Sequence, residues 1–222
     1  MVTAETNNPV TLKINEMFFS IQGESLLAGK PSVFVRTAEC NLRCTWCDTK
    51  YAYWKGSLLT VEQILKEIKK HETQYVCITG GEPLSQRGTY PLMSTLLSQG
   101  FIVSLETNGS YPIKDVPSKV IKVIDIKCPD SGMTEAMAWE NFDLVKAHDQ
   151  FKFVVASRND FDWAEKICAD HRLHEKCTVL YSPAYGLVKP AELAKWILDS
   201  KAKVTMQMQL HKEIWGANER GV

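Results

Sequence analysis

Apolar positions along this chain fall in short β-branched runs separated by longer amphipathic stretches, and the alternation persists from about Ser32 to the C-terminus. The runs are SVFVRTA (32–38), YVCITG (75–80), FIVSLET (101–107), VIKVIDI (120–126), FKFVVA (151–156), CTVLYS (177–182) and KVTMQMQ (203–209). Between them, TVEQILKEIKKH (60–71) places Val61, Ile64, Leu65 and Ile68 at helical spacing behind Thr60 as N-cap. Further helices are expected over 90–99, 133–148, 160–171 and 190–200, the last opening on proline. The first 15 or so residues are expected to be loosely held. Strand–helix–strand repetition implies an α/β fold with a mainly parallel sheet, because parallel neighbours require a crossover. Six or seven units in 222 residues fall short of a complete eight-unit barrel, so the expected architecture is a partial, TIM-like barrel of about six parallel strands in a single domain, 1–222. Chemistry is then expected at the C-terminal ends of the strands.

Composition narrows the function classes. With 45% hydrophobic and 23% charged residues the chain is of globular type, and 26 Lys+Arg balance 26 Asp+Glu. Zero net charge argues against a generic nucleic-acid or anionic-membrane partner, which needs a basic surplus. No stretch approaches the ~18 apolar residues of a transmembrane helix, and the N-terminal segment has no basic region followed by an apolar one. The expected location is the cytoplasm, where thiols stay reduced and clustered cysteines are metal ligands or redox groups. There are seven cysteines.

Three of them, Cys40, Cys44 and Cys47, occupy the loop 39–49 after the first run, at C-x3-C-x2-C spacing. Thiolates this close can converge on one soft metal centre, and three ligands leave one iron of a four-iron cluster open, as a catalytic centre requires. A zinc-stabilised binding module is the rival reading, with Cys77, Cys128 or His211 as fourth ligand, although no second cysteine pair exists. The second run ends in Gly80-Gly81-Glu82, where glycines allow close backbone approach and a carboxylate can accept from an ammonium. The third ends Glu106-Thr107-Asn108-Gly109 and the fourth Asp125-Ile126-Lys127-Cys128-Pro129-Asp130-Ser131. Cys77, Cys128, Cys168 and Cys177 read as small apolar fillers.

The triplet, with Trp46 just before its last cysteine, resembles the radical S-adenosylmethionine superfamily. That resemblance implies a 4Fe-4S cluster on Cys40, Cys44 and Cys47, S-adenosylmethionine chelated to the fourth iron, a 5′-deoxyadenosyl radical, and a flavodoxin-like electron donor. It places the cofactor against Trp46, Asp48, Gly80, Gly81, Glu82, Glu106, Gly109, Asp125, Lys127, Ser131, Tyr181, Ser182, Pro183 and Ala184.

The segment Asn15-Glu16-Met17-Phe18-Phe19-Ser20-Ile21-Gln22-Gly23-Glu24-Ser25 is similar to the N-E-x-F-x-S-x-Q-G-E-G stretch of the 7-carboxy-7-deazaguanine synthase family, with Ser25 in place of the final glycine. The likeness runs from Asn15 to about Trp215. It implies that 6-carboxy-5,6,7,8-tetrahydropterin is converted to 7-carboxy-7-deazaguanine with loss of ammonia, for queuosine or other deazapurine pathways, with S-adenosylmethionine regenerated and Mg2+ assisting. An amide such as Gln22 and a carboxylate such as Glu24 match the alternating donors and acceptors of a pterin edge. Arg36 can take a carboxylate in two-pronged fashion, and Thr49 offers Mg2+ a hard oxygen. Ile21, Gly23, Thr107, His211 and Lys212 complete the expected substrate contacts, with the C-terminal segment 207–222 near the substrate site and Trp215 available to stack on a flat ring. Resemblance also implies a homodimer. A glycyl-radical activase acting on a protein is the rival within the superfamily.

Overall fold

A computed structural model describes residues 9–217 and 219–222. In chain order the elements are β1 (Thr11–Ile21), β2 (Pro31–Thr37), β3 (Ser57–Thr60), α1 (Val61–Ile68), β4 (Tyr75–Gly80), α2 (Thr89–Ser98), β5 (Ile102–Thr107), β6 (Ile121–Ile126), α3 (Asn141–Leu144), β7 (Gln150–Val155), α4 (Arg158–Asp170), α5 (Leu173–Lys176), β8 (Thr178–Pro183), α6 (Pro190–Ser200), β9 (Thr205–Met206) and α7 (Leu210–Trp215). One sheet holds all the strands in the order β3-β1-β2-β4-β5-β6-β7-β8-β9. From β2 to β9 every neighbouring pair is parallel, while β1 runs antiparallel to both β2 and β3. The two ends of this order do not pair, so the sheet is the incomplete barrel expected from the sequence.

The period of two along each strand divides the molecule. On β2, β4, β5, β6 and β7, the residues Val33, Val35, Val76, Ile78, Val103, Leu105, Ile124, Ile126, Phe151, Phe153 and Val155 join the core against the helices. Their neighbours Phe34, Arg36, Thr79, Glu106, Val123, Asp125, Lys152 and Val154 point to the concave side and line a cavity. Helix α1 begins with a capping box, Gln63 N donating to Thr60 Oγ1 at 3.2 Å and Thr60 N to Gln63 Oε1 at 2.8 Å.

Three expectations change. The N-terminal region is not loose from Thr11 onward: β1 pairs on both sides, burying Leu12 and Ile14, and the register shift between Ile14 and Glu16 interrupts the alternation that would have revealed it. The helix expected over 133–148 is reduced to a 3-10 turn, Thr134–Ala136, and the single turn of α3. Tertiary bonds hold this segment irregular: Asn141 accepts from Ile113 N at 3.0 Å and donates to Tyr111 O at 3.0 Å, and Ala138 N donates to Gly109 O at 2.9 Å. The last expected strand shrinks to the two residues of β9.

Candidate active site

At the C-terminal ends of the parallel strands lies a cavity of about 510 Å³. It is walled by the strand ends, the cysteine loop, the loop after β1, and the C-terminal segment. Cys40, Cys44 and Cys47 all face it. The loop leaves β2 through Glu39, which has φ 72°, and its turns are fastened by Cys47 N to Cys44 O (3.3 Å) and Arg43 Nη1 to Cys40 O (2.7 Å). Cys40 Sγ accepts from Leu42 N at 3.4 Å and Asn108 Nδ2 at 3.5 Å. From the far side, Ser131 O accepts from Thr45 N and Thr45 Oγ1.

Gly80 and Gly81 are required by contact. Gly80 has φ 140°, and a Cβ at Gly81 would lie 1.8 Å from Glu39 O. Gly81 N donates to Thr37 O and Glu82 N to Glu39 O, so this strand end is sewn to the base of the cysteine loop. Gly81→Ala is therefore expected to displace the loop and cost about 1–3 kcal/mol as overpacking, since the obstructing atom is backbone. Chemical denaturation together with iron loading checks it; a variant that matches the parent in both would show that the loop gives way freely.

Glu82 is completely buried. Its carboxylate accepts from Leu84 N (2.9 Å), Thr107 Oγ1 (2.8 Å) and Asn108 N (2.7 Å). Burial pushes its pKa up against those three donors. It fastens the ends of β4 and β5 together and is absent from the cavity wall.

The remaining cofactor positions divide. Trp46, Asp48, Gly80, Gly81, Glu106, Asp125, Lys127 and Ala184 line the cavity, whereas Glu82, Gly109, Ser131, Tyr181, Ser182 and Pro183 do not. Tyr181 has the wrong parity on β8: it sits in the core and its hydroxyl donates to Glu165 Oε1 at 2.7 Å. Ser131 is buried with Oγ bonded to Cys128 O, and Ser182 is buried on the same strand as Tyr181. Gly109 supports the 138 turn through its carbonyl. Lys127 pairs with Asp125 at 3.1 Å; burial would lower the lysine pKa, but Asp125 and the Cys44 thiol together outweigh it and raise it. Among the described residues Asp125 Oδ1 is buried without a hydrogen-bond partner, an acceptor suited to a ligand's ammonium or hydroxyl.

Every expected substrate residue lines the cavity: Ile21, Gln22, Gly23, Glu24, Arg36, Thr107, His211 and Lys212, with Thr49 beside them. Gln22 donates to Glu106 Oε1 at 3.1 Å and accepts from Glu24 N at 3.1 Å, and Thr79 Oγ1 donates to the other Glu106 oxygen. Ser25 has φ 66°, the left-handed conformation that explains a glycine there in the resembled family, and its Oγ accepts from Leu27 N at 3.0 Å. The C-terminal segment docks on this loop: Gln207 exchanges bonds of 2.9 Å with Ser25 N and O, and Leu210 N donates to Gly23 O. Gly23 leaves room for His211, whose Nδ1 would meet a Cβ at 2.5 Å. Burial pushes the His211 pKa down more than Glu24 lifts it, so the imidazole is neutral at pH 7.

Residues outside the motifs complete the wall. Lys152 on β7 bonds Glu24 Oε2 at 2.5 Å and lies 3.7 Å from Asp125. Gln209 donates to Glu24 Oε1 at 2.9 Å. Lys212 reaches Asp48 at 2.8 Å; burial pushes the Asp48 carboxyl up, but this lysine outweighs it and holds the group well below the usual range. Thr49 Oγ1 donates to Asp48 Oδ1 at 2.9 Å, placing two hard oxygens together. Trp215 is 46% exposed and away from the cavity, so it does not stack there.

Among the described residues no three His, Cys, Asp or Glu side chains are gathered closely enough to hold a single metal ion. Three thiols around one cavity suit a polynuclear cluster instead. Cys77, Cys128, Cys168 and Cys177 are buried, the last three within the core, and cannot supply a fourth ligand to that loop.

Comparison with known proteins agrees with this geometry. Residues 34–125 match the model of the Radical SAM superfamily. The 7-carboxy-7-deazaguanine synthase of Chlorobaculum tepidum is 42% identical over 214 residues, covering 95% of this chain and 97% of that protein. That of Clostridium acetobutylicum is 40% identical over 221 residues, covering 95% and 99%. The crystal structure of QueE from Escherichia coli superposes with a TM-score of 0.74 at 22% identity, covering 90% of this chain and 95% of that one. Streptococcus suis SuiB bound to S-adenosylmethionine superposes at 0.55, covering 80% and 50%, with 14% identity. With near-complete coverage at this identity, three thiols on the open cavity and the glycine pair beneath them, the chain belongs to the 7-carboxy-7-deazaguanine synthase family of the radical S-adenosylmethionine superfamily.

Proposed function

We propose that this protein converts 6-carboxy-5,6,7,8-tetrahydropterin to 7-carboxy-7-deazaguanine with loss of ammonia. The observation that carries the reading is a single cavity in which Cys40, Cys44 and Cys47 share walls with Gln22, Glu24 and Arg36. When bound, a 4Fe-4S cluster on the three thiols and S-adenosylmethionine supply hydrogen-abstracting radical chemistry, and Mg2+ at Thr49 supplies a hard positive charge.

The chain's own residues bind, orient and shield. Backbone at Gly80 and Gly81, with Asp125 and Lys127, offers acceptors and a cation to an amino-acid end of the cofactor. Gln22 and Glu24 present amide and carboxylate edges to a pterin, and Arg36 a guanidinium to its carboxylate. Neutral His211, and Lys212 with its Asp48 partner, lie on the segment docked over that loop, which limits solvent at the reacting atoms. Docking of 207–215 onto the Gln22–Ser25 loop favours a small enclosed substrate over the protein substrate of an activase. A flavodoxin-like donor would deliver the electron, and the protein would act as a homodimer in the cytoplasm; no helix among the described residues is long and apolar enough to cross a membrane.

Anaerobic reconstitution with iron, sulfide, S-adenosylmethionine, Mg2+ and reductant is expected to yield carboxydeazaguanine by mass. Absence of this product from a cluster-loaded preparation that still cleaves S-adenosylmethionine would overturn the substrate assignment. Rates unmoved by thorough chelation of Mg2+ would overturn its role at Thr49.

A further inference from the structure

Arg36 has a neighbour, Glu16 of the N-E-x-F stretch, to which the sequence reading assigned no role. On the antiparallel pair β1/β2, Glu16 stands directly opposite Arg36, and Phe18 opposite Phe34 with rings stacked at 4.7 Å. Glu16 Oε1 accepts from Arg36 Nε at 2.7 Å and from Tyr51 OH at 2.9 Å. The guanidinium lies over the Phe18 ring (5.7 Å) and the Tyr51 ring (5.9 Å), and Arg220 of the C-terminal segment packs on Tyr51 at 4.1 Å. Arg36 is 17% exposed and Glu16 22%. Among the described residues the two terminal nitrogens of Arg36 make no hydrogen bond, while Arg36 itself lines the cavity.

From this geometry we propose that Glu16 is a positioning residue for the substrate carboxylate. By occupying Nε it leaves the terminal Nη edge of Arg36 for the ligand, and by holding Tyr51 it ties that guanidinium to the loop carrying Thr49. A free arginine has several rotamers and could offer its Nε edge instead; the cross-strand carboxylate and two rings remove that freedom before the ligand arrives. This inference rests on the substrate reading above.

The test measures anaerobic binding to the cluster-loaded protein of 6-carboxytetrahydropterin and of tetrahydropterin lacking the carboxylate. Glu16→Ala is expected to weaken the carboxylated ligand by about 10–100-fold, the loss of a charge-assisted contact, and to leave the other ligand unchanged. In an Arg36→Ala background, Glu16→Ala is expected to add nothing, because it acts through Arg36. Glu16→Gln, which keeps the shape and an acceptor, should recover most of the affinity and covers the case in which the alanine variant folds poorly. Equal weakening of both ligands, full additivity with Arg36→Ala, or no effect at all would overturn the role of Glu16. Failure of the parent protein to bind or turn over 6-carboxytetrahydropterin would instead overturn the substrate reading beneath it.

Discussion

Cys44→Ala is expected to leave no detectable turnover and to reduce bound iron after reconstitution to background, because two thiolates leave two irons of a four-iron cluster without a protein ligand. The informative comparison is Cys128→Ala. Cys128 is 1% exposed in the core, and burial puts its thiol pKa well above the ordinary value, so it behaves as an apolar filler. Its replacement should cost about 1–2 kcal/mol as a small cavity while iron content and the charge-transfer absorbance stay at parent levels. A Cys44→Ala protein that still reconstitutes four irons, or a Cys128→Ala protein that loses them, would reverse the assignment of ligands and fillers.

The second large effect belongs to Lys152. Its ammonium lies between Glu24 and Asp125, and both it and Glu24 are 13% exposed. Lys152→Met removes the cation and leaves the Glu24 and Asp125 carboxylates, 13% and 17% exposed, without it, a change of about 3–5 kcal/mol for a largely buried pair broken on one side. The pH dependence gives the sign. In the parent, burial pushes the Glu24 carboxyl up, but Lys152, with Gln209, outweighs burial and holds it below the usual value. Its contribution is then present above the unfolded carboxylate range and lost as pH falls through the lowered pKa. Without Lys152 burial prevails and the pKa rises above the unfolded value, so Glu24 becomes a liability at neutral pH that protonation relieves. The deficit of the variant against the parent should accordingly shrink between pH 7.5 and pH 5. Urea denaturation of both proteins across that range measures it, and a pH-independent difference would show that the pair does not carry the charge coupling described. Misplacement of Glu24 should also raise KM for the pterin, since Gln209 alone cannot fix both carboxylate oxygens.

Much of the site was legible because its chemistry is local in sequence. The cysteine loop, the glycine pair and the Gln22–Glu24 turn are short segments at strand ends, and strand ends converge in a parallel sheet whatever the details of packing. The positions that lie off the cavity do so for reasons that depend on packing. The resemblance puts Tyr181 against the cofactor, but one residue of register sends a side chain to the opposite face, and the hydroxyl donates to Glu165 in the core. Glu82, which the resemblance gives as a cofactor contact, lies beneath the wall with three donors on its carboxylate. Lys152 and Gln209 had no assigned role in any motif, and Glu16, although it stands in the N-E-x-F stretch, carries no role that the stretch itself reveals. The first is an isolated lysine in an apolar strand, a weak sign of a concave polar face, and the others gain meaning only from partners far away in the chain.

The family resemblance, the α/β alternation and the three thiols can be read from the chain alone, because motifs, thiol spacing and hydrophobic period are properties of neighbouring residues and need no long-range contact. The antiparallel return of β1, the place of Lys152 between Glu24 and Asp125, and the contacts by which the C-terminal segment docks on Gly23 and Ser25 come from the tertiary structure. Each depends on the register between segments distant in the chain, and register is set by the joint packing of both faces, which no local pattern encodes.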